Sequence, residues 1–361
     1  MSFTRRIATA ALLGAACTPA FAAEPANGLQ KGTPDIKSAG PLAFGPDGLL
    51  FVADAKGAAV FAIDTGKAVP APAKGALKVE GVNKKVAAAL GTTPEKILIN
   101  DLAIDPSSGR AYLSVSRGTG PDAAPAIVRI NGEGAVDVLA IQDVPFAKAT
   151  LPNPTDGSAR GGRAEAITDI AMVDGKVFVA GLSNEEFSSR LLAIPFPFVE
   201  SGDGTSLEIF HGAHGRYETK SPIRTFVPYV VGGEPCLLAA YTCTPLVKIP
   251  LADLKPGVHV KGTTLAELGN RNKPLDLVAY TKDGQDYLLM ANSSRGVMKI
   301  AAAGAAKAGA ITQRVADKEG LPYETIAALK GVVQLDRLDA ERAVVLLDQD
   351  GSMNLETIPL P

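Results

Sequence analysis

The feature that most constrains the fold of this chain is a strand pattern that recurs six times along its 361 residues. Each copy has an apolar run, a short turn that is often Asp-Gly, a second apolar run, a loop and an alternating third run. The first runs begin at positions 41, 101, 169, 225, 276 and 332. Two apolar runs joined by an Asp-Gly turn predict an antiparallel β-hairpin. The pattern therefore predicts a series of small antiparallel sheets.

A fourth run follows the third in most copies, at residues 136–141, 206–210, 264–268 and 311–315. Four antiparallel strands repeated every 51 to 68 residues are typical of a β-propeller. The six copies favour six four-stranded blades over seven. The last copy ends at Pro361 without a fourth run. We therefore expect an N-terminal strand from residues 29–38 to complete that blade and cover its open edge.

Residues 1–22 have the features of a secretory signal peptide. Arg5 and Arg6 precede a short apolar stretch, and Ala20-Phe21-Ala22 matches an A-x-A cleavage site. Cleavage near Ala22 would leave one propeller domain over residues 23–361, in the periplasm or secreted. The Arg5-Arg6 pair leaves twin-arginine export open as an alternative to the general route. No later segment reaches 18 apolar residues, so we expect no membrane span.

The charge balance excludes one class of partner. Lys and Arg together number 36 and Asp and Glu number 38, which gives a net charge of −2. A nucleic-acid-binding protein needs clustered positive charge to neutralise phosphates, so we expect no nucleic-acid partner. A small-molecule or protein ligand on the polar face around the central channel is the expected partner instead.

The turn Pro46-Asp47-Gly48 leads into the apolar residues 50–54, and copies of this unit follow along the chain. This pattern resembles the repeats of six-bladed propellers of the NHL-repeat and gluconolactonase/strictosidine-synthase-like groups. The resemblance implies a six-bladed ring. The metal-binding residues of the lactonase group have no residue-by-residue match in this chain, so the resemblance does not carry over their activity.

Three copies place an aspartate at the start of the first strand: Asp101, Asp169 and Asp276. We expect their carboxylates to converge at the mouth of the central channel. Carboxylates suit a hard cation such as Ca²⁺, and Asn100 could add an oxygen ligand. Alternatively, each aspartate bonds backbone N–H groups of its own loop, or the carboxylates take part in catalysis. Arg224 directly precedes the matching position of the fourth copy and is a candidate neutralising partner.

His211 and His214 stand three residues apart in the loop between the third and fourth copies. Imidazoles at this spacing can bind a transition metal, with Glu218 as an oxygen ligand. The same pair could act as general acid and base near neutral pH. Solvated loop histidines without a ligand are the third alternative.

Cys236 and Cys243 follow the predicted signal segment. They fall near the two ends of one predicted strand, so about seven residues at about 3.3 Å separate them, which is too far for a disulfide. A break in the strand would still allow the bond. A free Cys243 could be a soft metal ligand beside the histidines.

Two functions follow from these observations. The first is an exported propeller that binds a ligand or partner protein on its polar face through Asn100, Arg224, Glu218 and Asn292. The second is a metal-dependent enzyme of the same face, a lactonase-like hydrolase or lyase. In that enzyme a cation would polarise a carbonyl while His211 or His214 moves a proton.

Overall fold

The computed structural model describes residues 28–66, 76–157 and 162–361. The predicted signal peptide and its cleavage site near Ala22 lie outside the described residues. The described residues form six blades around a central channel, each with four antiparallel strands or, in blade 1, five, and one α-helix lies at Val82–Ala89. The predicted fold class, a β-propeller of six blades, is confirmed. Within these ranges no helix is long and apolar enough to cross a membrane.

The first three blades are given from the innermost strand outward. Blade 1 contains Leu42–Phe44, Leu49–Asp54, Ala59–Asp64, Val144–Thr150 and Gln30–Gly32. Blade 2 contains Ile97–Ile104, Ala111–Arg117, Ala124–Ile130 and Val136–Val138. Blade 3 contains Asp169–Val173, Lys176–Leu182, Ser189–Pro195 and Thr205–His211, with the short strand Arg216–Glu218 at its edge.

The second half of the chain forms the other three blades. Blade 4 contains Ile223–Val231, Glu234–Tyr241, Pro245–Pro250 and His259–Leu268, with Lys318–Gly320 at its edge. Blade 5 contains Pro274–Lys282, Gln285–Asn292, Met298–Ala301 and Tyr323–Thr325. Blade 6 contains Val332–Arg337, Arg342–Gln349, Ser352–Pro359 and Lys78–Val79. Short 3-10 turns lie at Pro46–Gly48, Pro94–Lys96, Gly162–Ala166, Leu251–Asp253, Ala302–Ala306 and Ala327–Leu329.

The Asp-Gly turns form the tight hairpins that the sequence predicts. Asp174 and Gly175 have φ of 46° and 75°, and Asp283 and Gly284 have φ of 53° and 73°. A two-residue type I′ turn needs positive φ at both central positions, where Gly is free of strain and Asp tolerates the conformation. These turns therefore fix the register between the first and second strands of blades 3 and 5.

The blades do not follow chain order around the ring. The inner strand of blade 1 lies between those of blades 2 and 3, and the inner strand of blade 2 lies between those of blades 1 and 6. The ring order is thus 2, 1, 3, 4, 5, 6 and back to 2. Apolar packing agrees, because each of the six core clusters joins two neighbours in this order. Phe61 of blade 1, for example, packs in one cluster with Tyr112 of blade 2.

This order requires two strand exchanges. The chain leaves blade 1 after its third strand and adds Lys78–Val79 as the outer strand of blade 6. It then builds blade 2 and returns Val144–Thr150 to blade 1 as the fourth strand. The prediction that residues 29–38 close the last blade is therefore wrong. Gln30–Gly32 instead pairs with Val144–Thr150 at the outer edge of blade 1.

The fourth strand of blade 5 also differs from the prediction. Tyr323–Thr325 takes this place, and residues 311–315 cross to other partners. The N–H of Ile311 donates to the carbonyl of Thr264 in blade 4, and the N–H of Val315 donates to the carbonyl of Gly212. The segment predicted as a strand therefore lies against the loop that carries the two histidines.

The two-residue closing strand gives a direct test of the ring order. Val79 is 1% exposed and lies opposite Leu355, so Val79→Asp places an unpaired charge in the core. We expect this change to lower the free energy of unfolding by about 3–5 kcal/mol, as uncompensated buried charges do. Urea unfolding measures the effect.

The neighbouring Lys78 supplies the control, because its side chain points to solvent. Lys78→Gln should change the free energy of unfolding by no more than about 0.5 kcal/mol. Equal stabilities for the Val79→Asp variant and the parent chain would contradict closure of blade 6 by this strand.

Candidate metal centre

The central channel contains a cavity of about 500 Å³ lined by the inner strands of the blades. The predicted aspartates Asp101, Asp169 and Asp276 all line it, as does a fourth, Asp336, which lies in the inner strand of blade 6. The convergence expected from the sequence therefore occurs, with one more carboxylate than predicted.

Each carboxylate bonds the backbone of the neighbouring blade. The Oδ2 atoms of Asp101, Asp169 and Asp276 accept the N–H groups of Leu42, Phe226 and Leu335 at 2.7, 2.8 and 2.8 Å. Asp169 and Asp276 also accept the N–H of the residue that follows each of them. Asp336 accepts the N–H of Ile104 at 2.7 Å. The aspartates thus accept backbone N–H groups, as the second alternative predicted. Their bonds also reach from one blade to the next.

Burial raises the pKa of all four carboxyl groups. For Asp169, burial and then the nearby Asp276 charge raise the pKa to about 8, against the bonds that favour ionisation. Burial raises the pKa of Asp336 to about 6. The pKa values of Asp101 and Asp276 are also raised, by burial and by the neighbouring carboxylates. The channel therefore favours proton uptake near neutral pH.

Two residues predicted to bind ligand hold the channel face together. Arg224 pairs with Glu165 at 2.7 Å, and its Nε donates to Thr242 Oγ1 at 3.1 Å. The predicted partners of Arg224 are the channel aspartates, but its carboxylate partner in the structure is Glu165, in the 3-10 turn before blade 3. Asn100 donates to the Ala39 carbonyl at 2.8 Å and to a serine hydroxyl of its own blade. Its side-chain donors therefore serve contacts within the protein.

The histidine loop lies where blades 3 and 4 join. The outer strands Thr205–His211 and His259–Leu268 pair in parallel, which brings the end of one blade beside the next. The N–H of Gly215 donates to the His211 carbonyl at 2.8 Å, which closes a tight turn after the strand. This turn brings the imidazole rings of His211 and His214 to a centroid distance of 4.0 Å.

Glu218 holds both imidazoles through the same ring atom. Nδ1 of His211 lies 2.9 Å from Oε2, and Nδ1 of His214 lies 2.6 Å from Oε1. Burial would raise the pKa of Glu218, but these two bonds outweigh it and lower the pKa to about 2. An ionised carboxylate only accepts hydrogen bonds, so each Nδ1 carries the proton. In the neutral ring, Nε2 then keeps a free lone pair.

The Nε2 atom of His211 is a buried nitrogen that lacks a hydrogen-bond partner in the described part of the chain. His211 is 2% exposed, and its Nε2 is buried without a hydrogen-bond partner among the described residues. A buried polar atom without a partner costs about 1–3 kcal/mol. An occupant that accepts the lone pair would remove this cost.

Cys243 reaches the histidines from blade 4. It lies in the loop between the second and third strands, where Cys243 and Thr244 both have positive φ, 64° and 58°. This conformation costs non-glycine residues about 1–2 kcal/mol each, so surrounding bonds must hold it. The N–H of Cys243 donates to the Asn272 carbonyl at 2.7 Å. Asn272 is buried and donates to Asn292 Oδ1 at 2.8 Å. Asn292, predicted to bind ligand, thus positions the cysteine loop.

The ligand atoms of His211, His214 and Cys243 all lie within 4.8 Å of one another. Across residues 28–66, 76–157 and 162–361 this is the only such trio of histidine, cysteine or carboxylate ligands. Both Cys236 and Cys243 are free thiols, as the strand spacing favoured. The candidate metal centre is therefore the histidine loop with Cys243. A hard cation at the channel aspartates stays a prediction.

Glu267, which is not among the predicted site residues, lies beneath the histidine loop. Glu267 is 1% exposed, and its Oε1 accepts the Gly212 N–H at 2.5 Å. A Cβ on Gly212 would lie 2.9 Å from Glu267 Cγ, so glycine is needed for this approach. Burial raises the pKa of Glu267. Only the parallel pairing of two outer strands brings Glu267 here, and no local sequence pattern signals that pairing.

Comparisons with known proteins add little beyond the fold. No family model and no curated protein matches the chain. Solved structures with a similar fold include a putative oxidoreductase (glucose dehydrogenase) from Thermus thermophilus, at 13% identity and a TM-score of 0.37 over 91% of this chain and 99% of that one. The PQQ-bound aldose sugar dehydrogenase of Streptomyces coelicolor has 12% identity and a TM-score of 0.30, over 91% and 96%.

The extracellular region of plexin A4 is also similar, at 11% identity and a TM-score of 0.41, over 93% of this chain and 47% of that one. At these identities and scores the likenesses carry no statement about activity. The resemblance to NHL-repeat and gluconolactonase-like propellers stays a prediction.

The channel carboxylates predict how stability depends on pH. Asp169 has a pKa of about 8 in the folded protein, against an ordinary value of 3.8. Its contribution to the free energy of unfolding is therefore fully present below pH 3.8 and is lost as the pH rises to about 8. We expect the melting temperature of the parent chain to fall as pH rises through this window. Asp169→Asn should flatten this dependence, which calorimetry across the same window would measure.

Asp174 in the exposed turn of the same hairpin supplies the control. Asp174→Asn should leave the pH dependence of the parent chain unchanged. An Asp169→Asn profile parallel to that of the parent would contradict the raised pKa.

Proposed function

We propose that this protein is an exported β-propeller that binds one transition-metal ion through His211, His214 and Cys243. The observation that carries the proposal is a single carboxylate, Glu218, that holds both histidines by Nδ1 beside a free thiol. Metal-binding histidines regularly donate their second ring N–H to a carboxylate in this way. The signal-like N-terminus supports export.

The donor set selects the class of metal. Two imidazole nitrogens and one thiolate suit zinc and copper, whereas Ca²⁺ and Mg²⁺ prefer oxygen ligands. Glu218 contributes by fixing the tautomer and orientation of the rings. Its oxygens accept the Nδ1–H of both histidines, which leaves Nε2 of each ring as the atom that would bind the metal. This assignment replaces its expected place as an oxygen ligand.

Burial of the site is one-sided. The His211 side chain is 3% exposed, whereas that of His214 is 46% exposed. Metal sites with three protein ligands and solvent access can add a water or a substrate. This access favours the second candidate, a metal-dependent hydrolase or lyase of the same face. Turnover of lactones or esters by zinc-loaded protein, abolished by Cys243→Ala, would support the enzyme. Equal turnover by that variant would contradict it.

Metal binding is tested on the mature chain after removal of metal with a chelator. We expect Zn²⁺ to bind at one ion per chain, measured by calorimetry and by elemental analysis after desalting. His211→Ala and Cys243→Ala should abolish this stoichiometric binding. Glu218→Gln should weaken it about 10–100-fold, as loss of a supporting carboxylate does at other metal sites.

His259→Ala and Cys236→Ala are the matched controls, since both residues lie outside the trio. They should bind Zn²⁺ like the parent chain. Binding that survives both His211→Ala and Cys243→Ala, or a parent chain that retains no ion, would contradict the proposal.

A further inference from the structure

We infer that copper is the metal of this centre and that the ion exchanges single electrons with redox partners there. This inference rests on the proposed metal function and adds the identity of the ion and its chemistry. It uses the same three ligands, His211, His214 and Cys243, whose ligand atoms lie within 4.8 Å of one another.

The donor set favours copper over zinc. For a given nitrogen and sulfur site, divalent copper binds more tightly than zinc, and a thiolate also suits monovalent copper. Two histidines and one cysteine around a three-coordinate ion are the ligands of blue-copper electron-transfer sites. A zinc ion on the same three ligands would take a fourth ligand such as water to complete a tetrahedron, whereas copper is bound at trigonal sites by these three ligands.

Rigid ligands keep the two oxidation states close in geometry. Glu218 fixes both rings, with hydrogen bonds of 2.9 and 2.6 Å to Nδ1. Asn272 fixes the left-handed turn at Cys243, and Asn292 fixes Asn272. Ligands that are held independently of the ion move little when its charge changes. Electron exchange then requires little reorganisation of the protein.

The electron balance is simple. Cys243 loses its proton when the ion binds and is a thiolate in both oxidation states. Cu(I) would give one electron to a one-electron oxidant such as a ferric complex and become Cu(II). An ascorbate-type one-electron reductant would return it to Cu(I), and no bond to His211, His214 or Cys243 would break in either direction.

Solvent access gives the electron a route. His214 is the exposed ligand, and the ring of Tyr217, three residues further along the loop, is also exposed. Tyr217 packs edge-on against Phe210, the residue before the buried ligand His211. A small donor or acceptor can therefore approach the centre at the His214 edge.

The experiment loads the metal-free mature chain with one equivalent of Cu(II) under argon. We expect an intense visible thiolate-to-copper charge-transfer band and a Cu(II) electron paramagnetic resonance signal. Ascorbate should bleach both and ferricyanide should restore them over repeated cycles. Both cysteines should still titrate as thiols after denaturation.

Cys243→Ser keeps the two imidazoles, so it should still bind Cu(II) but lose the thiolate band. His259→Ala should match the parent chain in every reading. Copper that binds without the band, or that consumes the thiol in the first cycle, would overturn the inference. The proposed metal function would stand in that case if Zn²⁺ still binds through the same residues. A chain that takes neither ion would overturn both.

Discussion

Hydrogen bonds from the backbone of one blade to aspartates of the next set the geometry on which this ring depends. Asp101, Asp169, Asp276 and Asp336 each reach a neighbouring inner strand, and all four reach in the same direction around the ring. Apolar packing between blades is not directional. Directed bonds at the axis fix the register of the inner strands. The loops that carry His211, His214 and Cys243 depend on that register.

Much of the fold could be predicted because its signals are local. The turn at Asp174 and Gly175 specifies a hairpin by itself, and six such units imply a ring of blades. The order of the blades has no local signal. Lys78–Val79 is too short to show a strand pattern, and its partner near Leu355 lies at the other end of the chain. The sequence therefore led to residues 29–38 as the outer strand of blade 6, whereas Lys78–Val79 forms that strand in the structure.

The candidate site also contains residues that local sequence patterns predict and residues that they do not. His211, His214 and Glu218 lie within eight residues, so their spacing alone was enough to predict a ligand cluster. Cys243 could be placed on the same face from the strand count. Glu267 and Asn272 could not be predicted, because contacts between blades bring them to the candidate metal centre. Asn100 and Asn292, predicted to contact a ligand, bond protein groups instead. Asn100 donates to the Ala39 carbonyl of blade 1, and Asn292 makes its hydrogen bonds within blade 5 and the loop before it.

The exchanged strands also constrain how the molecule can be made. Blade 1 has no fourth strand until residues 144–150 exist, and Lys78–Val79 has no partner until residues 355–356 have been synthesised. Contacts between such distant parts of a chain form late and slowly. The ring cannot be assembled blade by blade as the polypeptide emerges, and a chain that stops before Leu355 leaves a sheet edge uncovered. The ring therefore closes only after the last strand has been synthesised, because Lys78–Val79 can pair with residues 355–356 only then.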